Sequence, residues 1–251
     1  MNLIDSRRAK LSAYAPWLGR DYLTNQGPAT MIVVLLLAFL TLKGYAGSTG
    51  VSLHGLAQDD ARRMLRSLVN LTAFLGTFFA TNGIVASDRK YGTYKFLFAK
   101  PVSPPSYYAT TFLAHGVGLI VVVLALLGLW AVFVRPMFPP GLFAAVALMY
   151  VAYGGIGFLL SAAWRFDWLS LVTVLLVANI SWTLWRASTS PLRPLLYLLP
   201  PVHRADSVYT LIMRQAQEPV PWESIAWLGG YGFVCFLLGL AVIRKRPLGT
   251  T

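Results

Sequence analysis

The sequence predicts an all-α integral membrane protein with six transmembrane helices. Three observations lead there. Of 251 residues, 57% are hydrophobic and only 12% charged, whereas a soluble domain has about 25% charged residues. So few polar groups cannot cover a globular surface. Six apolar runs approach the roughly 20 residues of helix that a hydrocarbon core about 30 Å thick requires. The runs are unbroken rather than alternating, which selects helices over the strands of a barrel.

At the N-terminus, Leu11, Tyr14, Leu18 and Tyr22 share one helical face, with Arg7, Arg8, Lys10 and Arg20 around them. This pattern predicts an interfacial helix within residues 1–27 on the cytoplasmic leaflet, broken or kinked at Pro16. The first twenty residues lack the positive-then-apolar layout of a cleaved signal peptide. The first span is therefore expected to act as the insertion signal.

The first span is predicted at about Pro28–Leu42, extended backwards by Tyr22 and Leu23, since proline suits a helix start. The second is Ser67–Ser87, the third Thr110–Val134 and the fourth Gly141–Trp164. The fifth is Trp168–Trp185, and the sixth runs from Trp222 or Ser224 to Ile243. Trp130, Trp164, Trp168, Trp182, Trp185, Trp222 and Trp227 lie near the ends of these runs, where an interfacial belt places them.

Lysine and arginine collect on the cytoplasmic side of membrane proteins. With the N-terminus inside, twelve of these residues fall inside and nine outside. The sharpest clusters, Arg89-Lys90 and Arg244-Lys245-Arg246, are both inside. Both termini are expected in the cytoplasm, and the plasma (inner) membrane is the expected location. The formal net charge of +12 raises nucleic acid as a partner. The charges, however, sit in short clusters at the ends of apolar runs, which fits anionic lipid headgroups and membrane orientation.

On the outer side, a helical piece at Gln58–Arg66 is expected to run into the second span, and Arg135–Pro140 to form a tight turn. The segment before the sixth span contains Leu195-Leu196-Tyr197-Leu198-Leu199-Pro200-Pro201, with Pro191 and Pro194 ahead of it. It is too apolar for a solvated loop and too short and proline-broken to span. It predicts a re-entrant outer segment, followed by a surface helix over Asp206–Gln217.

The most charged internal stretch runs from Asp88 to Tyr108, and four of its five charges are positive. Lying between two apolar runs, it must be a loop in water. Tyr91, Tyr94 and Phe98 fall at i, i+3 and i+7, one face of a short helix, which Pro101 ends. That predicts an aromatic-faced helix, Tyr91–Ala99, lying under the bilayer.

Asp88-Arg89-Lys90-Tyr91-Gly92-Thr93, then apolar residues, then Lys100-Pro101-Val102-Ser103 and Tyr107-Tyr108, resembles the loop after the second span of ABC-2-type transporter permeases. The resemblance implies that the whole chain is one permease domain. Residues 1–27 would be an elbow helix and residues 28–244 the six-helix membrane domain. Tyr91, Gly92, Thr93, Tyr94, Lys95 and Phe98 would form a cytoplasmic coupling helix that docks on a separate ATPase subunit. It further implies a second copy of the chain or a homologous permease as partner, with ATP and Mg held by the ATPase subunits. The family often has acidic residues where Lys90 and Lys95 stand here.

The chain itself offers no nucleotide site, because none of its lysines follows a glycine as a P-loop requires. No cofactor and no metal is expected on it. His54, His115 and His203 are far apart in sequence, and no His/Glu/Asp cluster has metal-ligand spacing. The lone Cys235 excludes an internal disulfide and a cysteine cluster. No catalytic set shares a membrane depth, so the chain is not expected to be an enzyme. Asn70, Asn82, His115 and Asn179 are the polar residues that could line a pathway. Asparagines in spans more often join helices, and His115 is expected to serve structure. Gly154, Gly157 and Ser161 mark a small-residue face on the fourth span. Ala226 and Gly230 do so on the sixth, beside Gly229 and Gly232. With so little buried charge, the expected cargo is hydrophobic or amphipathic. The alternative is a scaffolding membrane subunit that uses the same loop only to hold a partner.

Overall fold

The computed structural model describes residues 16–49, 57–81, 84, 85, 88, 92, 103–139, 141–163, 167–185, 193–205, 207, 208 and 220–245. These residues are helical, with no strand among them. The helices are α1 (Gly27–Thr49), α2 (Gln58–Thr81), α3 (Pro104–Phe133), α4 (Leu142–Ala163), α5 (Asp167–Trp185) and α6 (Trp222–Lys245). All but α5 are long and apolar enough to cross a membrane, and this is the fold of a multi-pass membrane protein. With 19 residues, α5 rises only about 28 Å, just short of the hydrocarbon thickness.

The first span departs from expectation. Its helix is continuous from Pro16 to Gly44, so Pro28 lies within it rather than at its start. A proline at 28 has no N–H for the Thr24 carbonyl, and its ring crowds that carbonyl. The backbone accommodates this with a π-helical turn, Tyr22–Gln26, in which the Gly27 N–H reaches the Tyr22 carbonyl five residues back. The Thr24 hydroxyl meanwhile donates to the Arg20 carbonyl at 2.9 Å. Residues 16–27, expected as part of an interfacial elbow, are continuous with the helix of span one. Leu18 and Tyr22 are buried in the bundle. Residues 1–15 lie outside the described residues.

Gln58–Arg66 and the second span form one helix, as expected, with Asp59 and Asp60 in its first turn, where the macrodipole favours acids. It ends at Thr81 rather than Ser87. Beyond it the Val85 N–H leaves the helical ladder and donates to the Ser161 hydroxyl at 3.2 Å. Helix α3 begins at Pro104, six residues earlier than predicted, because prolines at the first two positions are pre-organised for a helix start. The turn after α3 forms as expected, with the Arg135 N–H donating to the Trp130 carbonyl.

Helix α4 is the centre of the bundle. It packs on α6 along most of its length and also on α2, α3 and α5, while α1 lies on α2 and α3. A Cβ on Gly155 would collide with the Gly232 carbonyl, and one on Gly232 with the backbone of Val151 and Ala152. Glycine at both positions is what lets α4 and α6 touch backbone to backbone. Gly154 faces Phe112 of α3 and Thr77 of α2 instead, and Gly157 faces Thr81 of α2. Gly230, expected on a packing face, has open space around it.

Aromatic rings join three helices at the middle of the core. Phe112 of α3 meets Tyr150 and Phe158 of α4 and Phe236 of α6, with centroids 4.7, 5.8 and 4.6 Å away. The Tyr150 hydroxyl donates to the Phe112 carbonyl at 2.6 Å. Outward faces carry Ile32, Leu36 and Phe39 of α1, Leu176, Ile180 and Leu184 of α5, and Phe233 and Leu238 of α6. These are faces that a bilayer solvates.

Candidate functional site

The charged loop leaves α2 at Thr81 and enters α3 at Pro104. Its root is held at two points. Ile84 and Val85 are buried, and the Val85 N–H is bonded to Ser161 near the end of α4. Asp88 is half-buried, and its Oδ2 accepts the Tyr108 hydroxyl at 3.0 Å. Tyr108 is fully buried in the second turn of α3, and Tyr107 packs edge-on against it at 5.3 Å. A bond to a carboxylate is stronger than one between neutral groups.

Gly92 stands in a turn at φ 70°, a left-handed conformation that glycine adopts without steric penalty. A regular α-helix therefore does not pass through residue 92. The remaining residues expected on the docking helix, Tyr91, Thr93, Tyr94, Lys95 and Phe98, lie outside the described residues, as does Asn82.

The other polar residues do not converge. Asn70 of α2 and Asn179 of α5 are exposed on their helices. His115 is buried between α2 and α3, and its Nδ1 lies 2.8 Å from the Ala80 carbonyl. A carbonyl can only accept, so Nδ1 carries the proton. The Tyr22 ring lies beside that imidazole at 5.1 Å. His115 thus joins α2, α3 and the start of span one, the structural role expected of it. Apart from tyrosine hydroxyls, the Trp130 indole and the Cys235 thiol, every buried polar side chain among the described residues is a Thr, a Ser or His115, and no group of His, Cys, Asp and Glu there has metal-binding geometry.

The proline-rich segment before α6 forms two short 3-10 turns, Arg193–Leu198 and Val202–Arg204, packed on α5 and α6. The His203 imidazole stacks flat on Trp182 of α5, 3.6 Å between centroids and 9° between planes. Tyr197 stands edge-on to both Trp182 and Trp227, each at 6.2 Å. The Tyr231 hydroxyl of α6 donates to the Leu198 carbonyl at 2.9 Å. Arg204 pairs with Glu223 at 2.7 Å. Pro200 and Pro201 are buried. Burial, and then the neighbouring Arg204 charge, hold the His203 pKa below the usual 6.5. The surface helix expected over Asp206–Gln217 lies mostly outside the described residues.

Sequence reasoning missed the partners that tie these pieces down. Tyr108 stood in the loop pattern without a role, and Asp88 is the only acid in that stretch, the one signal that could have paired them. Tyr22 is expected on the apolar face of an interfacial helix and at the start of span one, and neither pattern tells burial in the bundle from contact with lipid. The chain matches no protein-family model and no curated protein.

Proposed function

We propose that this chain is the permease subunit of an ATP-driven exporter of the ABC-2 type. In this reading two such membrane subunits, identical or homologous, stand over two ATPase subunits that bind ATP and Mg. Helix α5 serves as the fifth of six spans, both termini face the cytoplasm, and the plasma membrane is the location. The observation that carries the reading is the basic loop between α2 and α3, rooted to the bundle through Asp88 and Tyr108.

Two further features support it. No Asp, Glu, Lys or Arg is buried among the described residues. Coupled proton or ion transport relies on titratable groups at membrane depth, so a hydrophobic or amphipathic cargo suits this interior better. The 3-10 turns before α6 lie beside the upper turns of α5 and α6. Tyr231, which holds Leu198, sits roughly 13 Å along α6 from its start. We read Leu195–Pro201 as re-entrant, closing the outer end of the pathway.

The test is purification of the tagged chain from its native membrane. An ATPase subunit should accompany it, and inverted vesicles carrying both should move a lipophilic cation or a fluorescent lipid only with ATP. An ATPase that binds without ATP-dependent movement would instead favour the scaffolding alternative.

A further inference from the structure

We propose that Asp88 and Tyr108 are positioning residues that lock the root of the charged loop onto α3, so that displacement of the loop is delivered to the helix bundle. For its coupling consequence this rests on the transporter reading above. The geometry comes first. Asp88 and Tyr108 are separated by 20 positions, so their hydrogen bond closes the loop at its neck. On one side of the neck, Val85 is buried and its N–H is bonded to Ser161 of α4. On the other, Tyr108 is fully buried, one turn before Phe112, whose ring touches α4 and α6. The neck is therefore fastened to α4 through Val85 and to α3 through Asp88, and α3 leads directly into the central aromatic cluster.

The choice of groups matters. Tyr108 is already buried by its ring, and phenylalanine would fill the same space. Asp88 is half-buried at the loop's edge, where water could solvate a carboxylate. Their bond adds direction rather than burial, since a phenol donating to a carboxylate fixes both distance and angle. Interfaces and packed cores have discrete arrangements rather than a continuum. A neck fixed at two points therefore moves with its helices instead of folding independently of them.

The test uses the full chain in nanodiscs, as wild type, Tyr108→Phe and Asp88→Asn. Hydrogen exchange is read on peptides covering residues 84–88 and 104–112. Tyr108→Phe should speed exchange at 84–88 about tenfold, the effect of losing one bond to a charged group. Asp88→Asn keeps an acceptor oxygen and should fall between the two. The thermal midpoint of the helices should stay close to wild type. Unchanged exchange at 84–88 in Tyr108→Phe overturns the proposal, whatever the chain transports. The second measurement uses the ATPase that accompanies the wild-type chain. Tyr108→Phe should bind it as tightly while its membrane-stimulated hydrolysis falls at least fivefold. Equal hydrolysis would refute transmission through the neck. If the wild-type chain brings down no ATPase, the transporter reading fails, and the exchange rates alone decide the anchor.

Discussion

The ring of Tyr22 occupies the space that a side chain on Gly118 would need. A Cβ there would collide with Cδ1 of the ring. The ring is completely buried, beside His115, with its hydroxyl 3.5 Å from the Gly76 carbonyl. Tyr22 opens the π-helical turn, so Gly118 seats that turn against α3. Gly118→Val should expel the ring and destabilise the bundle by about 3 kcal/mol, the upper end for overpacking. Tyr22→Ala should cost a similar amount through the cavity it leaves. Thermal unfolding in detergent reads both. A midpoint within a degree or two of wild type for either would show that the slot does not hold span one.

The α4–α6 contact gives a second prediction, with its own control. Gly155→Ala puts a methyl group into the Gly232 carbonyl, and neither backbone can yield without separating the helices. The expected loss exceeds about 3 kcal/mol. Gly230, two residues from Gly232 on the same helix, has open space around it. Gly230→Ala should leave stability unchanged or raise it by up to about 1 kcal/mol, through helix propensity alone. Denaturation in mixed micelles distinguishes the pair, and equal effects at the two positions would contradict the packing.

Membrane helices were legible in the sequence because lipid demands length and apolarity, and both are local properties. The C-terminal end of α3, the start of α6 and the fusion of Gln58–Arg66 with span two followed the same local signals. The contacts that define the candidate site were not legible. Asp88 and Tyr108 are joined through space, and no periodicity links position 88 to position 108. Proline misled the reading at residue 28, because the rule that a proline starts a helix ignores a π turn that can absorb it. Glycine misled it at the sixth span, where Gly230 and Gly232 look alike in sequence. Two positions along a helix turn a residue through about 200°, so only Gly232 faces α4.

Orientation gives a third prediction. With Cys235 replaced by Ala, the chain has no native thiol. Ser190→Cys should then react with a membrane-impermeant maleimide added to intact cells, and Thr250→Cys should react only after the membrane is opened. The bias of Lys and Arg toward one side and the cluster Arg244-Lys245-Arg246 after α6 motivate this. Labelling of Thr250→Cys in intact cells would reverse the topology and place the loop at 88–108 outside, where no ATPase could reach it.

The stack of His203 on Trp182 predicts that the 3-10 segment before α6 loosens in acid. In place, the imidazole has its pKa below 6.5, because burial removes water from the cation and Arg204 repels it. An imidazolium over an indole face also gains some attraction, but the net direction is downward. Once the segment detaches, His203 returns to a pKa near 6.5. Between the two values the detached state holds more protons, so acid favours detachment. The stack's contribution is full above pH 6.5 and declines as pH falls through 6.5 toward the lower value in place. The Arg204–Glu223 pair offers little resistance, since the glutamate is 85% exposed and exposed ion pairs contribute about 1 kcal/mol or less. Leu199→Cys in the Cys235→Ala background reports the opening through its labelling rate. Dividing the wild-type rate by that of the same chain carrying His203→Gln cancels the thiol's own titration. That ratio should rise as pH is lowered from 8 to 5, with the change centred at or below 6.5. A flat ratio, or one that falls in acid, would mean that His203 does not govern the packing of this segment.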